Sequence, residues 1–251
     1  MRFKEKLKQY NSDIDFNREY CRYTEKQRHE KELSDIKRHI NFVRSEFSIK
    51  IDNIINLLIK NGFVADSDSI NKTSLKLKGV IACEINECNE LLLTEILVSD
   101  VLNVLTVEEL IAFMSVFMQL DTIDSDLNEN RIVISSNLEN VIKYVSELSN
   151  NYRKDEEICG LCWVSTNWKI NLDFVLPAYE WACGKTVKEV FEMTNIYEGN
   201  FMRGMIKINN MCNDVIKICD IVRNDEWKKK LLCVEKLIIR DVVAIESLYI
   251  N

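Results

Sequence analysis

The 251-residue chain carries 33 basic and 40 acidic side chains, with 47% hydrophobic and 29% charged residues; this composition excludes wholesale disorder and a disulfide miniprotein. A chain this long buries roughly 70% of its unfolded surface, so a substantial core is expected. One proline, Pro177, and six glycines are too few for the turns of a β-sandwich or barrel, or for phosphate-cradling loops, and point to a mostly helical protein.

Residues 1–32 are rich in Lys, Arg, Glu and Tyr and poor in aliphatic residues, so they read as a solvated arm or frayed helix, one half of a coiled hairpin. From Ile36 the pattern changes. Ile36, Ile40, Val43, Phe47, Ile51, Ile54 and Leu58 follow steps of three and four, which line one face of a helix. Asn61-Gly62 ends it, because glycine accepts the left-handed conformation past a helix C-terminus.

After a polar turn at Asp66-Ser67-Asp68-Ser69, alternation through Leu75, Leu77 and Val80 predicts a small strand pair. A helix followed by a little β-wing is the outline of half a winged-helix module. Two helices are predicted next, over 90–101 and 107–120. The acidic stretch Asp121–Glu129 reads as a loop, 137–148 resumes helical spacing, and 150–157 reads as a polar connection. Helices are then expected over 171–181, 186–193, 199–222 and about 225–249.

Charge is distributed unevenly along this order. Residues 1–80 carry 17 basic and 12 acidic side chains, residues 81–160 carry 4 and 16, and residues 161–251 carry 12 and 12. Phosphate neutralisation supplies most non-specific nucleic-acid affinity, so the chain by itself is expected to bind nucleic acid weakly. Nine cysteines without a basic start and apolar signal core point to a reducing intracellular compartment and to thiols acting as small buried hydrophobes. The longest apolar stretch, Leu110 to Met118, is half of what a bilayer span requires, and no membrane association is expected.

Several motifs reduce to simpler readings. Gly184-Lys185-Thr186 lacks the upstream glycine of a phosphate loop, Tyr179 standing in its place, and reads as a helix end followed by a Thr186 cap. Cys159 and Cys162 have the spacing of a redox pair or half a zinc site, but no second CxxC supplies the other ligands. His29 and His39 both lie toward the charged arm, which disfavours histidine-based catalysis. Glu108-Glu109 and Asp155-Glu156-Glu157 read as solvated surface.

The segment after Gly199 is more informative. Met202, Met205, Ile206, Ile208, Cys212, Val215, Ile216, Cys219 and Val222 make a broad apolar surface, while Arg203, Lys207, Asn210, Asp214 and Lys217 recur at steps of four, three, four and three. That row is either an ordinary solvent face or a ladder of polar groups along a channel occupied by an extended strand.

Five blocks carry a resemblance. Leu77 to Ile85 with Glu90 to Glu95, Tyr179-Glu180-Trp181 with Gly184, Met193-Thr194, Glu198-Gly199 with Arg203, and Arg240 to Val243 with Ser247-Leu248-Tyr249 resemble the C-terminal region of exosome-associated DExH RNA helicases of the superkiller and nuclear-exosome type. That region includes the helical domain called DSHCT. The resemblance covers about residues 40–251 and implies a mainly α fold: a helical bundle, a partial winged helix with a small β-wing, and an N-terminal helical arm. The implied organisation is a charged arm over 1–35, the returning strand of an arch stalk; a partial winged helix over 36–85; and a DSHCT-like bundle over 86–251.

The resemblance also implies a role: a non-catalytic C-terminal part that guides single-stranded RNA through a helicase ring. Arg203 and Lys207, with Asn210 on the same row, are its implied RNA-binding residues. Asp121 stands where the family has a glutamate, and Lys207 where it commonly has arginine, whose planar fork lysine lacks. Tyr179, Trp181 and Tyr249 are expected to hold the bundle, and the Arg240-Asp241 pair to be structural. Implied partners are RecA-like motor domains of the same or a companion chain, the RNA exosome and its adaptors. The family acts in nucleus or cytoplasm, and Tyr197 favours the nuclear branch.

No P-loop, DExH sequence or arginine-finger motif occurs in the chain, so no cofactor is expected here, ATP and Mg belonging to motor domains supplied elsewhere. The chain is accordingly expected to be a fragment of a longer helicase, a split-gene product or a remnant. The acidic middle segment supports a competing class, a helical protein-interaction module without RNA contact. Thiol redox chemistry at Cys159 and Cys162 is a third.

Overall fold

A computed structural model describes residues 5–6, 8, 14–66, 74–118, 134–161, 168–194 and 196–244. The chain forms two compact units, residues 1–53 and 54–251.

Helix α1, Ile14–Lys60, takes in residues 14–32 of the predicted arm together with the helix predicted after it. Within the first unit its surface carries ion pairs at helical spacing, among them Arg22–Glu19 at 3.1 Å and Arg38–Asp35 at 2.9 Å. Such exposed pairs each add only a few tenths of a kcal/mol. The apolar row predicted from Ile36 is exposed through Ile51. Burial begins within the second unit, where Leu57 is 4% exposed, and Gly62 at φ +78° follows the helix end as its sequence requires.

The predicted strand pair is replaced by a different local solution. Among the described residues the only β pairing is an isolated antiparallel bridge, Val64 to Leu75, with Lys76 N donating to Phe63 O at 2.9 Å. Leu77–Cys83 is helix α2. Gly79 is needed there for contact, since a Cβ on it would lie 2.4 Å from Phe63 O. Its absence lets α2 close on that carbonyl.

Helix α3, Glu90–Val98, is capped by Asn89, whose side chain accepts from Leu92 N. Helix α4, Val107–Met114, begins with a reciprocal capping box between Thr106 and Glu109. Leu110 to Met114 are all at most 2% exposed, which explains a run apolar on every face: α4 is the central rod of the bundle. Helix α5 runs Ser136–Ile158, so the predicted polar connection over 150–157 is helical. Ser149, Tyr152 and Glu156 lie at steps of three and four and are all buried. Ser149 Oγ donates to Trp168 O, Trp168 Nε1 donates to Glu156, and Tyr152 stacks on the Trp168 ring at 4.8 Å. Tyr152 OH also donates to Glu95 Oε1 at 2.8 Å, and Lys78 Nζ bonds both oxygens of that carboxylate at 2.8 Å. Polar residues that look solvated in the sequence thus satisfy one another inside.

Helix α6, Val175–Ala182, lies against α4. Helix α7, Val187–Phe191, starts at the expected Thr186 cap, and α8 spans Glu198–Val222. The predicted final helix is divided into α9, Asp225–Leu231, α10, Val234–Ile238, and a 3-10 turn at Asp241–Ala244. A straight 25-residue rod would extend about 37 Å. The breaks let Leu231, Val234 and Ile238, each at most 1% exposed, wrap the core.

Trp181, fully buried, locks this closure. Its Nε1 donates to Ile238 O at 3.0 Å, and the Arg240 guanidinium lies 3.7 Å from its ring centre. Arg240 Nη2 donates to Trp181 O at 2.7 Å and Lys185 O at 2.6 Å, capping the end of α6 as its expected structural role requires. Tyr179 is half-buried against the core, and Tyr249 lies outside the described residues.

Candidate nucleic-acid interface

Helix α8 owes its length to an apolar face. Phe201, Met205, Ile208, Met211, Cys212, Val215, Ile218 and Cys219 are each at most 3% exposed. At roughly 25 cal/mol per Å² of buried apolar area, that face anchors the helix far more strongly than its surface charges do. Gly204 allows a close approach, because a Cβ there would meet the Phe174 ring at 2.7 Å. Ile206 and Val222, part of the apolar surface read from the sequence, are exposed.

The five-residue polar row lies on one side of α8 but is not uniform. Arg203 is exposed and Lys207 half-buried, and neither makes a hydrogen bond or ion pair among the described residues. Asn210 is exposed and its Nδ2 donates to Glu87 Oε1 at 3.3 Å. Asp214 is 6% exposed. Its Oδ2 accepts from the backbone N of Asn86 at 3.1 Å and from Asn86 Nδ2 at 3.2 Å, while its Oδ1 accepts from Lys217 Nζ at 2.9 Å. That hydrogen bond raises the Lys217 pKa. The row therefore divides: Arg203 and Lys207 are available, Asn210 is lightly held, and Asp214 and Lys217 are structural.

The partner of this row is the short connection between α2 and α3, which the sequence reading did not assign. Burial pushes the Cys88 thiol up to about 12; Lys207 opposes that rise and Glu90, Asp214 and Glu87 reinforce it. Lys207 and these three carboxylates thus act with opposite sign on one thiol of the connection. Asn86 and Asp214 are 128 residues apart, and no periodicity in a single sequence announces such a pairing. Only the clustering of Glu84, Glu87 and Glu90 hinted at a charged edge.

Asp121 and Cys162 lie outside the described residues. Cys159 is half-buried. Among the described residues no three His, Cys, Asp or Glu side chains are grouped to hold a metal ion, and no helix is long and apolar enough to cross a membrane.

Comparison with known proteins gives this geometry a context. The DSHCT (NUC185) domain matches residues 72–246. Similar proteins include mRNA transport homolog 4 of Caenorhabditis elegans, 25% identical over 91% of this chain and 21% of the relative. The ATP-dependent RNA helicase mtr4 of Schizosaccharomyces pombe is 26% identical over 92% of this chain and 20% of its own length. The antiviral helicase SKI2 of Saccharomyces cerevisiae is 28% identical over 74% of this chain and 14% of its own. The chain spans about a fifth or less of the length of these curated relatives.

Proposed function

Because this chain belongs to the DSHCT (NUC185) domain family, we propose that it is the non-catalytic C-terminal part of an exosome-associated, ATP-dependent RNA helicase and guides single-stranded RNA along α8. Arg203 and Lys207 contact phosphate or bases, Asn210 adds a hydrogen-bond donor, and Asp121 meets a base edge or orients a neighbour. RecA-like motor domains, in the same polypeptide or a companion, supply ATP hydrolysis with Mg and pull the strand. The exosome and its adaptors receive it.

The observation that carries this reading is the pair of cations at 203 and 207, without a hydrogen bond or ion pair among the described residues, one turn apart on a helix anchored by its buried face. A rigid rod with free donors at regular spacing suits a sliding, sequence-tolerant contact. The chain's net charge of -7 makes the intrinsic affinity low, which suits a guide rather than a tether.

Fluorescence anisotropy with a labelled single-stranded oligouridylate tests it. Arg203→Ala and Lys207→Ala each weaken binding by about tenfold, as expected when one charge-assisted contact is lost. Each also flattens the logarithmic salt dependence by about 0.7 if its contact is to phosphate. Binding indifferent to both substitutions and to salt would instead support the protein-interaction module that the acidic segment over 81–160 suggests.

A further inference from the structure

Among the described residues, Asn210 is the member of the proposed RNA-facing trio that the chain itself already occupies, through Glu87 Oε1 at 3.3 Å. This contact is not a chance meeting of two flexible surface groups. Asn86, immediately before Glu87, is bound at its backbone N and its side-chain amide by the buried Asp214 carboxylate. Asn89, two residues after it, caps α3 by accepting from Leu92 N at 2.9 Å, and the intervening Cys88 is half-buried. Asn86 and Asn89 thus tie the chain down on both sides of Glu87, so its backbone is delivered to a fixed place beside α8. Only its own side-chain rotamers remain free, which reduces the entropy lost in holding Asn210.

Glu87 also keeps a carboxylate beside the polar row, at hydrogen-bond distance from Asn210. A strand arriving at α8 must both displace this carboxylate from the Asn210 amide and overcome its repulsion. Resting on the reading of α8 as an RNA-facing helix, we infer that Glu87 competes with single-stranded RNA for Asn210, held in place by the Asn86–Asp214 clasp. Its effect is to weaken standing affinity so that a strand is released between steps.

The test uses the full chain and the same labelled oligouridylate, with Glu87→Ala, Glu87→Gln, Asn210→Ala and the double variant Glu87→Ala/Asn210→Ala. Glu87→Ala removes both the charge and the acceptor and tightens binding about threefold, the scale of an exposed charged contact. Glu87→Gln, which keeps an acceptor, tightens it less. In the Asn210→Ala background the Glu87→Ala gain shrinks to the part due to repulsion alone, a dependence that general charge removal would not produce. Thermal denaturation verifies that each variant folds.

Affinity unchanged or weakened by Glu87→Ala overturns the inference, and so does a gain that persists undiminished without Asn210. If RNA binding falls with Arg203→Ala and Lys207→Ala while Glu87→Ala does nothing, the competition is refuted and the RNA-guiding role stands. If neither the wild-type chain nor any variant binds, both fail together.

Discussion

Two glycines in one helix should respond to alanine with opposite signs. In α8 the intrinsic gain for Gly→Ala in a helix interior is about 1 kcal/mol. At position 204 the added methyl would lie 2.7 Å from Phe174 Cζ and 3.1 and 3.2 Å from the two Cε atoms, where carbon atoms normally rest about 3.5 to 4 Å apart. The ring must retreat by about 1 Å by that comparison, yet Phe174 is 1% exposed and packed on Phe201 at 5.5 Å between centroids. Overpacking of this kind costs about 1 to 3 kcal/mol, and because the ring has little room to retreat sterics win, so Gly204→Ala lowers stability by up to about 2 kcal/mol net. At Gly199 nothing lies within 4 Å of the new methyl, and Gly199→Ala gains a few tenths of a kcal/mol in the first turn. Urea denaturation followed by helical circular dichroism measures both. Combining Phe174→Leu with Gly204→Ala should recover part of the loss relative to the sum of the single variants. A Gly204→Ala chain at least as stable as the wild type would refute the close-packing argument.

Arg240→Lys should destabilise the second unit by about 2 kcal/mol, because lysine cannot both lie flat on the Trp181 ring and bond the carbonyls of Trp181 and Lys185; equal denaturation midpoints would contradict it. Thr106→Ala removes the acceptor for Glu109 N and should cost about 1 kcal/mol in the same assay. Burial raises the Cys88 and Cys212 thiols from 9.0 to about 12. The unfolded chain therefore releases these protons first, so their stabilisation is complete below pH 9 and is lost as pH rises toward 12. Denaturation midpoints measured from pH 8 to 11 should fall, and fall less steeply in Cys212→Ala.

The helical class was legible because one proline and six glycines leave little room for tight turns, and because α4 and α8 carry long apolar signatures. The wing was not, since Leu75, Leu77 and Val80 alternate over too few residues to distinguish strand from helix. There the deciding contact is Gly79 against Phe63 O, a tertiary approach that no local window contains. The same holds for the C-terminal third of α5. Tyr152, Ser149 and Glu156 look solvated until Trp168 and Glu95 supply their partners.

The polar row shows where helical spacing stops being informative. Steps of four and three place Arg203, Lys207, Asn210, Asp214 and Lys217 on one side of α8, and the structure agrees that they share it. Spacing cannot say which of them the protein consumes for its own purposes. Asp214 at 6% exposure would be destabilising if unpaired, so its partners at Asn86 and Lys217 are obligatory. Those bonds commit two of the five groups to holding the α2–α3 connection against the helix. What remains toward the N-terminal half, Arg203 and Lys207, is available because nothing on that connection reaches them with a hydrogen bond among the described residues. The division of the row therefore follows from where one buried carboxylate sits. Asp214→Asn should accordingly disturb Asn86 and Lys217 more than it disturbs Arg203, and amide hydrogen exchange across residues 84–89 would measure it. Protection there that is unchanged in Asp214→Asn would show that the connection is held by something other than this clasp.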